Sequence, residues 1–387
     1  MKTDRITSYS YTGYFFIGLI SIMFAPLLPL IIEGYGITPG TAGSLFPVRF
    51  AGIFAGGLMG GILSDRYGRK VVILAGSMIQ AMGFLLLVSS SAWPYGLLAF
   101  GTAGFGTGLT NTTLNALVAD ANRDRMGPAL NKLHGIYAAG CLVGPLIAGA
   151  ISSAGYSWKL IFYASSFIWL FYAMISLFFS YPRTVRPEKI RPSFSFRKLD
   201  PDPVLILLFC VSFIYNGSAT GLVGWINTYM KDLEFSLLFG SGMVSVFYAG
   251  LMLGRFLCGK ISEKTGYVRI IAICAIGSLI FYPVALFTSS QWSIVPGVFF
   301  TGLFMSGLHP TGLAYAGARY PEKAGSVTAL LASAMSLGAM TVPWATGIVA
   351  DISGFRTGLG IGFVLLAILL PVVYMLSQKQ EKVSDIH

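Results

Sequence analysis

Long apolar runs recur along the whole chain of 387 residues, and short polar stretches separate them. A helix needs about 20 apolar residues to cross a bilayer, and runs of this length indicate helices because helices satisfy their own backbone groups in lipid. The runs fall near 8–32, 41–63, 71–91, 95–119, 130–154, 157–181, 206–230, 239–261, 269–289, 293–317, 328–352 and 355–379. The pattern therefore predicts an all-α membrane protein with twelve transmembrane helices.

The last six runs are the first six shifted by 198 residues, and motifs inside them shift by the same amount. The charged segment Gly61–Lys70 lies between the second and third runs, and Gly259–Gly266 is its degenerate copy between the eighth and ninth. Gly140 likewise recurs as Gly338. Because six crossings are an even number, both halves should run in the same sense, as parallel repeats.

A polar stretch rich in Pro, Lys and Arg covers residues 182–202 and interrupts the apolar pattern. We interpret it as a cytoplasmic linker, since about 20 residues cannot bury a core. Residues 1–181 then form an N-terminal six-helix half, and residues 203–387 form a C-terminal half.

The composition excludes a soluble globular protein. The chain is 55% hydrophobic and 11% charged, with a mean hydropathy of +0.73, whereas soluble domains carry about 25% charged residues. The net charge of +11 comes from Lys and Arg at the termini, in the linker and in alternate loops; the opposite loops hold only Lys159, Lys231 and Arg356. This asymmetry predicts a protein of the cell (inner) membrane with both termini cytoplasmic. Because topology accounts for the excess of basic residues, we expect no nucleic-acid partner.

The sequence carries no recognisable catalytic or metal-binding pattern. The four cysteines all fall inside apolar runs, without metal-ligand or CxxC spacing. No catalytic triad, metal cluster or phosphate loop is recognisable. We therefore expect no enzyme activity, no cofactor and no metal, and we expect a monomer in the lipid bilayer that binds a small molecule.

Ionisable side chains at membrane depth are functional candidates, because their burial is costly unless they are paired or hydrated. Arg49 could donate forked hydrogen bonds to substrate hydroxyls or to an anionic group, or it could bond helix carbonyls. His309 is the repeat counterpart of Asn111 and is a candidate for substrate binding and for proton coupling, or a packing histidine. Pro310 should loosen the helix beside it. Arg255, one turn before the second charged segment, is a candidate partner of gate charges.

Asn111 and Asn115 are one helical turn apart and share a face. Carboxamides offer both donors and acceptors and suit sugar hydroxyls, although they also join helices. The same reasoning, with aromatic rings that stack on sugars, extends the candidate substrate-binding set to Asn216, Trp225, Asn227 and Trp344.

The segment Gly61–Lys70 resembles the signature loop of the major facilitator superfamily: Gly, three residues, Asp-Arg, one residue, then Gly-Arg-Lys. With twelve spans and a basic linker, the resemblance covers the whole chain. It implies the major facilitator fold and transport by alternating access of the two halves. The charges in and near the two loops would then act as a gate, with Asp65, Arg66, Arg69, Arg255, Glu263 and Lys264 as candidates.

Three stretches further resemble the fucose permease (fucose–proton symporter-like) branch: Gly106–Asp120, Leu133–Pro145 and Tyr215–Tyr229. The resemblance implies uptake of a sugar or sugar derivative. Asn111 and Ala219 stand where that branch often carries carboxylates. Facilitated diffusion is therefore an alternative to symport with a proton or sodium ion.

Other functions stay open at this point. Gly140–Gly149 resembles the motif of drug antiporters, although Asn131 stands where that motif has an earlier glycine, so a multidrug efflux antiporter is one alternative. Arg49 and the lack of carboxylates in mid-helix favour an organic-anion transporter as another. A membrane receptor or scaffold that moves no solute is a third.

Overall fold

The computed structural model describes residues 2–179, 181 and 202–384, without the side chains of residues 2–4, 263 and 380–384. Apart from short turns and caps, this part of the chain is helical, and it contains no strand. The predicted linker lies outside the described residues except for Asp202. The division of the chain at 182–202 therefore stays a prediction.

The helices of the described chain follow the apolar runs. Before the linker they are α1 (Lys2–Tyr35), α2 (Pro39–Gly43), α3 (Leu45–Tyr67), α4 (Arg69–Ser89), α5 (Trp93–Ala121), α6 (Met126–Ser153) and α7 (Trp158–Ser176). After it they are α8 (Pro203–Asp232), α9 (Leu237–Thr265), α10 (Tyr267–Phe287), α11 (Gln291–Met305), α12 (Leu308–Arg319) and α13 (Ala324–Ser384).

Twelve crossings result from these helices. Within the described residues, ten helical stretches are long and apolar enough to span a membrane. The helix α5 is not one of them because it is rich in Gly, Thr and Asn, but its 29 residues are long enough to cross. The 61 residues of α13 change direction at Gly354, where φ is 81°, so this helix supplies two crossings. The predicted all-α membrane protein with twelve transmembrane helices is confirmed.

The internal repeat extends to the backbone of the charged loops. The turn between α3 and α4 pivots on Gly68 with φ of 93°, and the turn between α9 and α10 pivots on Gly266 with φ of 92°. Their amides donate to the carbonyls of Ser64 and Ser262, at 3.1 and 3.0 Å. A side chain would be strained at this φ, so glycine is required at both positions.

The turn after the first helix of each half also repeats its backbone. Gly36 has φ of 61°, and its counterpart 198 residues later, Glu234, has φ of 64°. Glu234 is the one non-glycine residue with a positive φ in the described chain. The repeat therefore preserves a turn geometry even where the residue type changes.

By its contacts the described chain divides into two compact units. One holds α1–α7 together with Glu234–Ser245, and the other holds α8 with the following Leu233 and the chain from Val246 onward. Within the first unit, Gly56 of α3 lies directly against the carbonyl of Phe105 in α5. Gly254 lies against the carbonyl of Leu303 in the same way within the second unit. Small residues allow such close approach of helix backbones in lipid.

The tenth crossing is broken between α11 and α12. Pro310 has no amide proton to bond the carbonyl four residues earlier, at Ser306, and the helix opens there. Gly307 at the break lies against the sulfurs of Cys258 and Cys274, which are 3.8 Å apart. The loosening predicted beside Pro310 is confirmed.

The glycine contact predicts an asymmetric response within one helix. Gly56→Ala places a methyl group against the Phe105 carbonyl and should destabilise the protein by roughly 1–3 kcal/mol, the usual effect of overpacking. Gly61→Ala, one to two turns further along α3, adds a methyl group in open space and should be neutral or stabilising. Melting temperatures of both variants in one detergent test this. Equal melting temperatures would contradict the packing role of Gly56.

Candidate functional site

A group of polar and aromatic side chains lies in the first unit where α1, α5 and α6 meet. Asn115 donates through Nδ2 to the Tyr14 hydroxyl and, at 3.1 Å, to the backbone carbonyl of Asn111. The ring of His134 packs edge-on against Tyr14 with centroids 5.6 Å apart, and Tyr137 lies 6.2 Å away. We call Tyr14, Asn111, Asn115, His134 and Tyr137 the carboxamide cluster.

The carboxamide cluster combines hydrogen-bonding groups with aromatic edges. The two predicted asparagines do share one face of α5, and their side chains approach within 3.5 Å. Each carboxamide has two donors and an acceptor with two lone pairs, so the contacts within the cluster leave capacity for a polyhydroxylated ligand. Asn111, Asn115, His134 and Tyr137 are all at least partly exposed, whereas Tyr14 is buried.

Sequence reasoning missed the aromatic members of this cluster. Tyr14 is separated from Asn115 by 101 residues, and it sits among several other aromatic residues of α1 that give no distinguishing signal. His134 lies near a helix end, where an ionisable side chain can reach water and so carries no functional signal. The one usable clue was the stretch Leu133–Pro145, in which His134 follows the start of the fifth crossing.

The second unit has a polar contact at the equivalent place. Ser212 and His309 occupy the repeat positions of Tyr14 and Asn111, and the Ser212 hydroxyl lies 3.1 Å from His309 Nδ1. The His309 ring stacks on Tyr215 with centroids 6.2 Å apart and planes 6° apart. The Arg255 guanidinium is close enough to interact electrostatically with the imidazole. The predicted candidates His309 and Arg255 are thus neighbours in space.

Arg49 is buried between α1 and α3. Its Nη2 donates to the Ser21 carbonyl at 2.9 Å, and its guanidinium lies 4.3 Å from the centroid of the Phe24 ring. A carbonyl and an aromatic face are the kinds of partner that allow a guanidinium to be buried in a membrane. Of the two interpretations from the sequence, the observed contacts favour the structural one, and substrate binding by Arg49 stays a prediction.

The remaining predicted substrate contacts differ in accessibility. Trp225 is fully buried, and its indole N–H donates to the Pro343 carbonyl at 2.7 Å, which favours a packing role. Asn227 is also fully buried. Asn216 donates to the Met335 carbonyl at 2.8 Å. Trp344, with 43% of its surface exposed, is the more accessible tryptophan of the two.

The first charged loop is organised around Arg69. Its guanidinium donates to Asp65 at 2.9 Å, to Asp120 at the end of α5 at 3.2 Å, and to the Ser64 hydroxyl. Arg69 is 12% exposed, whereas Asp65 is 64% exposed. Arg66 lies 5.2 Å from the Tyr67 ring on the exposed side. Within the first unit the loop therefore binds α3, α4 and α5 together through one cation.

The second charged loop lacks these partners. Tyr267 stands at the repeat position of Arg69, and Ala318 stands at that of Asp120. Lys264 is exposed, as is Arg255 one turn before the loop. The side chain of Glu263 lies outside the described residues. The gate proposed from the sequence is therefore built differently in the two halves, and its function stays a prediction.

Each unit has a polar contact between the end of its fourth crossing and the start of its first. These are the fourth and first crossings of the chain in the first unit, and the tenth and seventh in the second. Asn122 donates to the Thr7 hydroxyl at 3.0 Å in the first unit. In the second, the Tyr320 hydroxyl donates to Asp202, whose carboxylate also accepts from the Val204 amide at 2.8 Å and so caps α8. Burial and the hydrogen bond to Asp202 raise the pKa of the Tyr320 phenol to about 12. The phenol therefore stays a donor at physiological pH.

Twelve apolar helices with a charged loop repeated after the second and eighth crossings are the architecture of a duplicated, polytopic membrane transporter. The family model of the Major Facilitator Superfamily matches residues 11–282 and 241–385. The chain belongs to this superfamily, as the signature loop indicated.

Curated relatives are identical to the chain at about a quarter of the aligned positions. The multi-drug resistance efflux pump PmrA homolog of Lactococcus lactis subsp. lactis (strain IL1403) is 25% identical over 294 residues, which covers 73% of this chain and 72% of that protein. The multidrug resistance protein MdtG of Citrobacter koseri is 27% identical over 305 residues, which covers 75% and 74%.

Solved structures show the same fold at lower identity. The nucleoside transporter NupG superimposes with a TM-score of 0.84 at 10% identity, over 97% of this chain and 100% of that one. A D-xylose–proton symporter gives 0.78 at 15% identity, over 97% of both chains. The E. coli fucose:proton symporter FucP gives 0.64 at 14% identity, over 97% and 99%.

The Arg69 contacts predict that two arginines of one loop differ in importance for stability. Arg69→Gln removes the cation that Asp120, Asp65 and Ser64 share, and hydrogen bonds to charged groups contribute roughly 1.5–3 kcal/mol when sheltered from water. Arg66→Gln removes an exposed charge and should change stability by less than about 1 kcal/mol. Thermal unfolding of both variants at neutral pH tests this. A loss with Arg66→Gln as large as that with Arg69→Gln would contradict it.

Proposed function

We propose that the protein takes up a sugar or sugar derivative across the cell membrane by alternating access of its two halves. The observation that carries this proposal is the carboxamide cluster, in which Asn111 and Asn115 present amide groups beside the rings of Tyr14, His134 and Tyr137. Sugars carry dense hydroxyl groups and apolar ring faces, and this combination of side chains complements both.

The coupling of transport is proposed to reside in the second unit. The described carboxylates of the spans lie close to helix ends or to the turn at Gly354, so no acid of the described chain stands at mid-membrane. His309 is then the titratable group best placed to carry a proton, with Ser212 holding its Nδ1. Facilitated diffusion without an ion, or coupling to sodium, would leave His309 with a binding role alone.

The cytoplasmic gate is proposed to use the two charged loops. In the first, Arg69 holds the loop to the end of α5 and leaves the Asp65 carboxylate largely exposed and available to other partners. We place these loops and both termini on the cytoplasmic side because the basic residues concentrate there. Arg66, Arg255, Glu263 and Lys264 complete the proposed gate set.

Multidrug efflux is the second candidate, because the two curated relatives described above are named as multidrug resistance proteins. Lipophilic cations are usually balanced by a carboxylate when they enter an apolar site, since an unpaired charge is costly there. An organic-anion transporter would instead use Arg49, which already bonds Ser21. Substrate binding distinguishes the three possibilities.

A thermal-shift screen of the purified protein tests the substrate class. A ligand that binds only the folded state stabilises it by about 2.7 kcal/mol at one hundred times its Kd. We expect stabilisation by a neutral or acidic saccharide. Asn115→Leu should weaken that ligand by roughly 3- to 10-fold, the equivalent of one neutral hydrogen bond. The control Thr113→Val, whose hydroxyl bonds its own helix, should not.

The outcomes of the screen separate the candidates. Stabilisation by lipophilic cations alone would contradict sugar transport and support efflux. A saccharide whose affinity ignores Asn115→Leu would contradict the role of the carboxamide cluster while leaving sugar transport standing.

Proton coupling predicts a specific effect of His309. In proteoliposomes, a pH gradient that is acidic outside should drive accumulation of the substrate above equilibrium. With His309→Gln the substrate should only equilibrate, with affinity changed by a few-fold at most. Ser212→Ala removes the neighbour of Nδ1 and should shift the pH profile without abolishing accumulation. Accumulation by the His309→Gln variant, or uptake that ignores pH in the parent protein, would exclude this coupling.

A further inference from the structure

A groove of about 500 Å³ runs along the first unit between α1 and α7. Its volume lies within the range of about 300–1,000 Å³ that is typical of small-molecule sites. One end is polar, and the rest is mainly aromatic. The lining residues that matter here are Arg5, Ser8, Thr12, Phe16, Phe171 and Phe179.

Two tyrosines close the floor of the groove, and the hydroxyl of each donates to the backbone carbonyl of the other. The rings of Tyr9 and Tyr172 stack with centroids 4.3 Å apart and planes 7° apart. The Tyr9 hydroxyl donates to the Tyr172 carbonyl at 3.2 Å, and the Tyr172 hydroxyl donates to the Tyr9 carbonyl at 3.1 Å. Because these phenols already donate to backbone, a ligand in the groove would meet them mainly as an apolar surface.

The polar groups of the groove lie along one edge of α1. They are Arg5, Ser8 and Thr12, which follow a helical spacing and are all exposed. At a rise of 1.5 Å per residue they cover about 10 Å of the helix. Thr12 donates to the Ser8 carbonyl at 3.1 Å, so its hydroxyl can offer a ligand in the groove only an acceptor. The groove therefore begins at a cation, continues past two hydroxyls and ends between phenylalanines.

The surroundings of the groove indicate what it meets. Phe167 and Phe178 of the α7 region are 70% and 83% exposed, and such a surface is unfavourable in water but suited to acyl chains. At the end of the unit where Arg5 lies, Lys70 donates to the Leu177 carbonyl at 2.7 Å and adds a second cation to that end of α7. Basic positions between transmembrane helices at the cytoplasmic surface attract anionic lipid headgroups.

We propose that the groove between α1 and α7 binds one anionic phospholipid of the cytoplasmic leaflet. The phosphate lies at Arg5, the ester region lies beside Ser8 and Thr12, and an acyl chain follows the phenylalanines toward Phe16 and Phe171. This inference is independent of the transported substrate, and it rests on the proposed cytoplasmic placement of the N-terminus. It concerns a lipid held at a defined place on the first unit, beyond the general solvation of an apolar surface.

Native mass spectrometry of the detergent-purified protein, titrated with phosphatidylglycerol or with phosphatidylcholine of the same chains, tests the proposal. One Lys or Arg near an anionic lipid contributes about 1 kcal/mol, so one phosphatidylglycerol should bind about five-fold more tightly than phosphatidylcholine. Arg5→Gln should remove most of this preference, because Lys70 is at that end of α7 but does not line the groove. Ser8→Trp should fill the groove and weaken both lipids.

The matched control is Lys132→Gln. Lys132 is an exposed cation of the same unit, and it lies over Tyr11 rather than in the groove, so this variant should keep the five-fold preference. Size-exclusion profiles and melting temperatures establish that each variant is folded. Equal binding of the two lipids by the parent protein, a preference undiminished by Arg5→Gln, or unchanged binding of both lipids by Ser8→Trp would each overturn the proposal.

Discussion

The carbonyl and amide groups of the backbone find no partners in hydrocarbon, and every crossing of this protein must therefore satisfy them within its own helix. In lipid the helices also lack a hydrophobic force to bring them together, because lipid is as apolar as their side chains. Close approach of backbones then contributes cohesion through van der Waals packing, beside the interhelical hydrogen bonds. Gly56 against the Phe105 carbonyl and Gly254 against the Leu303 carbonyl show this in both units.

The duplication makes it possible to compare equivalent positions that carry different side chains. Packing positions such as Gly56 and Gly254 are alike in the two halves, whereas polar positions differ. Tyr14 and Asn111 correspond to Ser212 and His309, and each pair is in contact within its own unit. Divergence at an otherwise repeated place is what two halves with separate tasks would show. Under the function proposed above, one half supplies hydroxyl recognition and the other supplies a titratable ring.

The sequence was sufficient for the crossings, because their length and apolar character are local properties and the 198-residue repeat checks each of them against another. It was also sufficient for the shared face of Asn111 and Asn115, since one helical turn separates them. Contacts between distant crossings were out of reach. Tyr14 on Asn115, and Arg69 on Asp120, depend on how helices rotate against one another, and several chemically similar residues could have filled those places.

It was equally hard to predict which buried polar side chains would hydrogen-bond to the backbone. Trp225 and Arg49 were both reasonable ligand contacts from their types and depths in the chain. The structure gives each a backbone carbonyl, at Pro343 and Ser21. A polar group at membrane depth has to find such a partner in any case, so residue type alone does not distinguish a binding group from a structural one.

The turn after the first helix of each half shows how one backbone shape can be reached by two thermodynamic routes. Gly36 adopts its positive φ without steric opposition, but a glycine adds conformational freedom to the unfolded chain, which folding must remove. Glu234 restricts the unfolded chain more and holds a φ of 64° in the folded state against its own side chain. The first half thus carries the cost of this turn as entropy, and the second carries it as strain, at a site where the fold rather than the residue dictates the shape.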